Sequence, residues 1–229
     1  MENRPVKAWF ATLVLTIVAG YCDSVTFVAS DKIFSAHVTG NFIVFAYQLV
    51  KGADGDAWIK LLTFPVFMLS VIAGGWIAAR VAKNYFLLLC EGIILMVAAA
   101  IAYFMGYIEN GELTRPMYFV TMLIVFAMGF QNAFGKLYAK ETFGPTTMMT
   151  GNVTQFALDM RAFYTSGFSD TEFLLGVKKG LITLGGFLAG CVLGAFFGKV
   201  FGLVSVLIPG VAMVVCYYFT KPLTAPLIK

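Results

Sequence analysis

The stretch Thr39-Gly40-Asn41-Phe42-Ile43-Val44-Phe45-Ala46 opens a short apolar segment, and Thr150-Gly151-Asn152-Val153-Thr154-Gln155-Phe156-Ala157 repeats its pattern in the second half of the chain. Both copies begin with Thr-Gly-Asn and place Phe-Ala at the same distance behind it. A given tripeptide of this kind is expected roughly 0.04 times by chance in a chain of this composition, so two copies in similar surroundings indicate an internal duplication.

The sequences around the two motifs also correspond. Upstream, Gly20-Tyr21-Cys22-Asp23 matches Gly129-Phe130-Gln131-Asn132, each near the end of the preceding apolar stretch. Downstream, a row of small residues in one half matches a row in the other: Ser70, Gly74, Ala78 and Ala82 with Gly186, Gly190, Gly194 and Gly198. Three matched features in the same order predict two repeats, residues 1–111 and 112–229, within one integral membrane domain.

The composition is that of a membrane protein. The 229 residues are 60% hydrophobic and 12% charged, with a mean hydropathy of +0.86, whereas soluble domains carry about 25% charged residues. This excludes an ordinary soluble globule and a disordered chain, and it leaves no room for a separate catalytic or nucleic-acid-binding domain. Six stretches are long enough to span a bilayer: 8–29, 61–82, 85–107, 116–138, 180–201 and 203–220.

The role of the two shorter stretches, 38–50 and 149–160, decides the topology. If they do not span, the chain has six spans and its halves have opposite orientations, which makes an inverted repeat. If they do span, eight helices form two parallel repeats. We favour six transmembrane helices plus two Thr-Gly-Asn half-helices, because a span needs about 20 apolar residues. Both arrangements place most of the sixteen Lys and Arg and both termini in the cytoplasm, so the positive-inside rule does not choose between them.

The two motifs predict a solute site. Thr39, Gly40 and Asn41 would open one short helix, and Thr150, Gly151 and Asn152 the other. A helix N-terminus presents unpaired N–H groups and the positive end of a dipole, so two of them meeting at mid-membrane suit a small polar solute or an anion. Gln131 and Asn132 are polar at the matching depth and join the predicted substrate-binding set. The alternative is that Thr-Gly-Asn only caps and packs buried helices.

Three ionisable residues lie in or beside apolar stretches. Asp23 and His37 are predicted coupling or gating groups, because a carboxylate at membrane depth suggests function and histidine titrates near neutral pH. The alternatives are a solvated Asp23 at the membrane interface and a structural His37. Glu91, inside the apolar stretch 85–107, is predicted to pair with Arg80 or Lys83 or to reach the membrane edge.

No pattern typical of catalysis occurs. There is no nucleophile with a base, no phosphate-binding loop and no metal-ligand spacing, so we predict no enzyme, no cofactor and no metal site. Small residues at every fourth position allow close helix packing. The series Gly186, Gly190, Gly194 and Gly198 therefore predicts packing within the chain or, as the alternative, a homodimer seam.

The paired motifs resemble a known family. Gly20-Tyr21-Cys22-Asp23-Ser24 with Phe34-Ser35-Ala36-His37-Val38-Thr39-Gly40-Asn41, and Gly129-Phe130-Gln131-Asn132-Ala133 with Thr146-Thr147-Met148-Met149-Thr150-Gly151-Asn152, resemble the YoaK-like family of bacterial inner-membrane proteins. The resemblance covers nearly the whole chain. It implies a multi-pass inner-membrane location and supplies no substrate.

Two functions remain open at this stage. The duplicated half-helices favour a transporter or channel for a small polar solute, preferably an anion. The alternative is a non-transporting accessory or scaffold protein that associates through the glycine-rich helix 186–202. In either case the lipid bilayer is a partner and nucleic acid is not.

Overall fold

A computed structural model describes residues 4–52, 55–81, 85–106 and 115–220. The predicted repeat boundary at Gly111, the matched Ala82 and the predicted partner Lys83 lie outside these residues. The described chain contains eight α-helices and no strand. They are α1 (Arg4–Ala29), α2 (Gly40–Lys51), α3 (Ile59–Arg80), α4 (Phe86–Gly106), α5 (Arg115–Leu137), α6 (Met149–Thr165), α7 (Thr171–Phe201) and α8 (Leu207–Thr220).

Five stretches of the described helices are long and apolar enough to cross a membrane. They are Ala8–Ala29, Ile59–Arg80, Phe86–Met105, Met117–Leu137 and Thr171–Thr220. The last one contains α7, a 3-10 segment over Gly202–Val206, and α8. The protein is therefore a multi-pass helical membrane protein, and the outward-facing apolar side chains of its helices contact lipid.

The helix boundaries follow the predicted stretches closely, with one exception. Helix α7 begins at Thr171, well before the predicted start at residue 180. Asp170 caps it, because its Oδ1 accepts a hydrogen bond of 2.8 Å from the N–H of Glu172. The charged residues Glu172, Lys178 and Lys179 interrupt the apolar sequence of the first turns of α7, so the predicted start came too late.

Helices α1 and α7 pack with their backbones in contact. Gly186, Gly190, Gly194 and Gly198 are all buried in this contact. A Cβ on Gly190 would lie 2.9 Å from Cα of Ile17, inside van der Waals contact. Since α1 of the same chain covers these glycines, the contacts agree with the prediction of packing within the chain and give no support to the alternative of a homodimer seam.

Helices α3 and α5 pack in the same way. A Cβ on Gly129 would lie 2.5 Å from Cβ of Ser70, and one on Gly74 would lie 2.9 Å from Cβ of Ala133. The numbers rise together along both helices, so α3 and α5 run parallel, as α1 and α7 do. In the predicted repeats α1 corresponds to α5, and α3 to α7, so each first helix packs against the third helix of the other half.

The helix contacts correct the predicted alignment between the small residues of α3 and those of α7 by one helical turn. The main chain of α7 at Phe187 faces Gly20, and that of α3 at Phe67 faces Gly129. The two phenylalanines therefore correspond. This pairing matches Ser70 of α3 with Gly190 of α7, one turn beyond the Gly186 that the sequence comparison gave. Small residues that recur every fourth position match themselves after a one-turn shift, so sequence alone did not determine this register.

Corresponding helices of the two halves run in opposite directions. Near one end of the contact between α1 and α5, the Nε2 of Gln131 donates a hydrogen bond of 2.7 Å to the carbonyl of Leu15. Directly after the other end of α1, Ser30 shares a hydrogen bond with Thr121 on α5. Residue numbers rise along α1 as they fall along α5, so the two helices are antiparallel.

Helices α4 and α8 show the same relation. They cross where Gly92 meets Gly210, and the contacts extend from Gly92 to Val214 and from Met96 back to Gly210. This crossing is also antiparallel. The last helices of the two halves therefore oppose each other as the first helices do.

Candidate functional site

The segment between α1 and α2 folds back alongside α1. Asp31 and Lys32 both adopt left-handed backbone conformations, with φ of 47° and 60°, and this reverses the chain after Ala29. The returning residues 33–39 then run beside the last turns of α1. This path brings loop residues next to Asp23, which the sequence separates from them.

Asp23 binds the returning loop through both carboxylate oxygens. Its Oδ1 accepts hydrogen bonds from the N–H of Ala36 (2.6 Å), from the N–H of His37 (3.3 Å) and from the hydroxyl of Ser35 (3.4 Å). Its Oδ2 lies 2.5 Å from Nδ1 of His37. Asp23 is 4% exposed, so the alternative of a solvated carboxylate at the interface is wrong.

His37 connects this buried carboxylate to open space. Its ring packs edge-on against Phe187, with 5.7 Å between ring centroids, and its side chain is 36% exposed. The hydrogen bond to Asp23 raises the pKa of His37 above its ordinary value. No described residue bonds to Nε2, so this nitrogen is the part of the pair that can meet a ligand.

A cavity of about 670 Å³ lies between α1, the returning loop, α2 and α7. Its polar lining consists of Asp23, Ser24, His37, Thr39 and Cys191. Large apolar side chains form most of the remaining wall: Phe27, Val28, Phe34, Ile43, Val44 and Phe187. The cavity thus combines one ionisable pair with apolar walls.

Asn41 fastens the returning loop to the start of α2. Its Oδ1 accepts a hydrogen bond from the N–H of Phe34, and its Nδ2 donates to the carbonyl of Phe34, each at 2.8 Å. Nδ2 also donates to the hydroxyl of Thr63 at 3.0 Å. The side chain is fully buried, and both of its amide hydrogens and its oxygen bond to protein groups.

The first turn of α2 differs from the capped helix end that the sequence predicted. Thr39 stands at the N-cap position in a helical conformation and makes no side-chain capping bond, so its predicted capping role is wrong. The N–H groups of Gly40, Asn41 and Phe42 bond to the carbonyls three residues earlier. These three N–H groups, which the sequence predicted to be unpaired at the start of the helix, are therefore used within a tight turn.

Asn152 in the second half makes the bond that corresponds to that of Asn41. Its Nδ2 donates to the carbonyl of Pro145 at 2.6 Å, seven residues upstream, as Phe34 is from Asn41. Only one bond of the pair is possible here, since proline has no N–H group. Thr150 and Gly151 are exposed.

The polar residues near the end of α5 hold the second loop. The hydroxyl of Thr147 donates to Oδ1 of Asn132 at 2.7 Å, and Nε2 of Gln131 donates to the hydroxyl of Thr146 at 3.0 Å. Asn132 thus binds its loop as Asp23 binds the first one. The recurring polar residues share the task of fixing a returning loop against the preceding helix.

The structure does not bring the eight predicted substrate-binding residues into one site. Thr39 and Gly40 line the first cavity. Asn152 lines a second cavity of about 400 Å³ between α6 and α7, and Asn41 and Gln131 are buried in contacts with protein. Each motif binds its own upstream loop, which is why the motifs do not form a shared site. The two predicted coupling or gating residues, Asp23 and His37, are in direct contact.

The sequence did not reveal the buried ion pair between Lys60 and Asp31. Lys60 is fully buried in the first turn of α3 and pairs with the carboxylate of Asp31. Gln48 on α2 also donates to this carboxylate, at 3.4 Å. Lys60 stands at the end of an apolar stretch, where a lysine is expected to reach water, so no signal in the sequence marked it.

Glu91 departs from its predicted environment. It is fully buried, and neither of its carboxylate oxygens has a hydrogen-bond partner in the described ranges, which leave out Lys83. Arg80, one predicted partner, is exposed at the end of α3. The prediction that Glu91 pairs with it or reaches the membrane edge is wrong.

Comparison with known proteins gives one match. Residues 11–219 match the family described as "Protein of unknown function (DUF1275)". YoaK belongs to this family, so the resemblance noted in the sequence is confirmed. No curated protein and no solved structure matches the chain. Because the match covers nearly the whole sequence, this protein is a member of the DUF1275 family.

Proposed function

We propose that this protein is a membrane transporter whose solute binds in the cavity beside Asp23 and His37. One observation carries the proposal: an imidazole that is hydrogen-bonded to a buried carboxylate faces an apolar-walled cavity of about 670 Å³. Solute sites in proteins are typically cavities of about 300–1,000 Å³ with apolar walls and a few placed polar groups.

The chemistry of the cavity favours an organic anion. Both oxygens of Asp23 are already engaged by the loop, so the carboxylate offers little to a cationic solute. Protonated His37 can donate from Nε2 to an anionic head group, and the hydroxyls of Ser24 and Thr39 supply further donors. The apolar walls suit a hydrocarbon or aromatic body, which narrows the predicted small polar solute to a small amphipathic organic anion.

Binding of such an anion depends on pH. Protonated His37 and ionised Asp23 are together neutral, whereas neutral His37 leaves a net negative charge that repels an anion. The pKa of His37 is raised, so the protonated form persists to higher pH than in a free histidine. Anion binding is strongest below this pKa and is lost as the pH rises through it.

The helix arrangement supports an inverted repeat with six spans. Helices α1 and α5 are antiparallel, as are α4 and α8, which is the relation expected when the halves 1–111 and 112–229 cross the membrane in opposite senses. The exchanged packing of α1 with α7 and of α5 with α3 supports the duplication itself. Many transporters of this design move one repeat against the other around the solute. We place the protein in the inner membrane with both termini in the cytoplasm.

The alternative of an accessory or scaffold protein needed an accessible surface on the glycine-rich helix 186–202. Its proposed contact was the glycine face of α7, and those glycines are buried against α1. The proposal therefore retains transport and assigns the glycine face to internal packing. We propose no enzymatic activity, because the sequence contains no pattern typical of catalysis.

Three ligands that share one body and differ in head group test the proposal. 3-Phenylpropane-1-sulfonate, 3-phenylpropylamine and 3-phenylpropanol are added to the purified protein in detergent, and thermal unfolding is followed. We expect the sulfonate to raise Tm by about 5–10 °C at a hundredfold excess over Kd. The rise in Tm should be larger at about pH 6 than at about pH 8. The amine and the alcohol should change Tm little at either pH.

Two variants assign the effect to the cavity. His37→Gln should lose the stabilisation by the sulfonate, because glutamine carries no charge at either pH. Asp159→Asn, in the second cavity, should keep it. The proposal is contradicted if none of the three ligands shifts Tm, if the amine stabilises more than the sulfonate, or if His37→Gln responds as the wild type does.

A further inference from the structure

Glu91 is a carboxyl group buried inside the protein, and none of the described residues bonds to it. It lies on α4 within the apolar stretch Phe86–Met105. Its side chain is fully buried, and neither oxygen has a hydrogen-bond partner among the residues that the structure describes. An ionisable side chain in such a position usually has a functional role, because burying it is costly.

The described residues of the surrounding elements bring no cation to Glu91. Helix α4 packs against α3, α5, α8 and the 3-10 segment. The titratable groups that interact electrostatically with Glu91 are the thiols of Cys22 on α1 and Cys216 on α8. Of the cations whose side chains are described on α3 and α5, Lys60 is paired with Asp31, and Arg80 and Lys136 are exposed at the helix ends. The 3-10 segment has no titratable side chain. An ionised Glu91 would therefore be an uncompensated charge in the core.

We propose that Glu91 is a proton-binding site of the membrane core and holds a proton in this conformation. A neutral carboxylic acid avoids the cost of an isolated charge in a medium of low dielectric constant. A metal ion is a poorer fit, because the described residues contain no group of three His, Cys, Asp or Glu arranged to hold one.

A structural role does not account for the acid. Within the described part of the chain it makes no hydrogen bond or ion pair that would hold α4 to its neighbours, and an apolar side chain of similar size would fill the space at lower cost. What the carboxyl adds is an exchangeable proton. The site is separate from the cavity at Asp23 and His37, so the proposal does not depend on the proposed transport of anions.

Infrared spectroscopy of the purified protein tests the proposal directly. The protein is measured in dodecyl maltoside, which has no carbonyl group, at about pH 8, where exposed carboxyl groups are ionised. We expect a carbonyl stretch of a protonated carboxylic acid that shifts to lower frequency in D₂O. It should disappear in Glu91→Gln, move in Glu91→Asp, and remain in the control Asp159→Asn.

An isotope label keeps the test decisive if a variant fails to fold. Wild-type protein that carries ¹³C in the glutamate carboxyl groups should show the same band at lower frequency, whereas an aspartate band would not move. Absence of a protonated-carboxyl band in the wild type overturns the proposal. So does a band that survives in folded Glu91→Gln or fails to respond to the glutamate label.

Discussion

Replacing Gly190 by alanine tests the packing of α7 against α1. A Cβ at this position would lie 2.9 Å from both Cα and the carbonyl carbon of Ile17, and closer still to its oxygen, whereas ordinary contacts are 3.4–4 Å. The obstacle is backbone, so no rotamer change relieves it, and the helices must separate by on the order of 1 Å. Overpacking of this kind costs about 1–3 kcal/mol. We expect about 3 kcal/mol, because the separation also loosens the contact at Gly194, one turn further along.

Gly185→Ala is the matched control in the same helix. Nothing lies within 4 Å of a Cβ on Gly185, and alanine in place of an exposed helical glycine stabilises by up to about 1 kcal/mol. Thermal unfolding of the two purified variants in detergent, followed by circular dichroism, should show Gly190→Ala lower in Tm by roughly 6–12 °C than the wild type. Gly185→Ala should unfold at or slightly above the wild-type temperature. If Gly190→Ala is as stable as Gly185→Ala, the account of this interface is refuted.

Two other contacts give predictions that the same unfolding assay checks. Asn41→Ala leaves the N–H and carbonyl of the half-buried Phe34 without their partner and should cost about 3 kcal/mol. Asn152→Ala removes an exposed bond to Pro145 and a weak one to the sulfur of Met149, and it should cost about 1 kcal/mol. Equal losses would contradict the different burial of the two asparagines. Asp31→Asn leaves Lys60 buried without its counter-ion and should cost about 2 kcal/mol, a value reduced for the partial exposure of Asp31. The double variant Asp31→Asn/Lys60→Met should recover most of that loss, and a double variant less stable than the single one would argue against the pair.

Hydropathy predicted the membrane helices because lipid imposes one strong requirement on every spanning segment. The same rule explains the error at α7, whose first turns are polar and are fixed by the cap at Asp170 instead. The glycine series on this helix predicted close backbone packing correctly. The glycine series did not show whether the packed helix belongs to the same chain or to a second copy, because the backbone of either would fit against these glycines.

The candidate site was predicted in part. Asp23 and His37 were selected because ionisable groups are rare in this chain, and the structure joins them. The recurrence of Asn41 and Asn152 was detected, but a repeated motif does not reveal which atoms its side chains contact. Both asparagines bind the backbone seven residues upstream, a bond that depends on the reversal of the loop. Lys60 and Glu91 look like end-of-helix charges in the sequence, and only the packing of neighbouring helices shows that they are buried.

The most direct test of the central claim is uptake of an organic anion by proteoliposomes. Radiolabelled 3-phenylpropane-1-sulfonate is suitable because its permanent charge prevents it from crossing lipid unaided. We predict uptake above that of empty liposomes, faster at about pH 6 than at about pH 8, lost in His37→Gln and retained in Asp159→Asn. Uptake no greater than in empty liposomes, or equal uptake by His37→Gln and the wild type, would contradict the claim that this cavity carries an anion across the membrane.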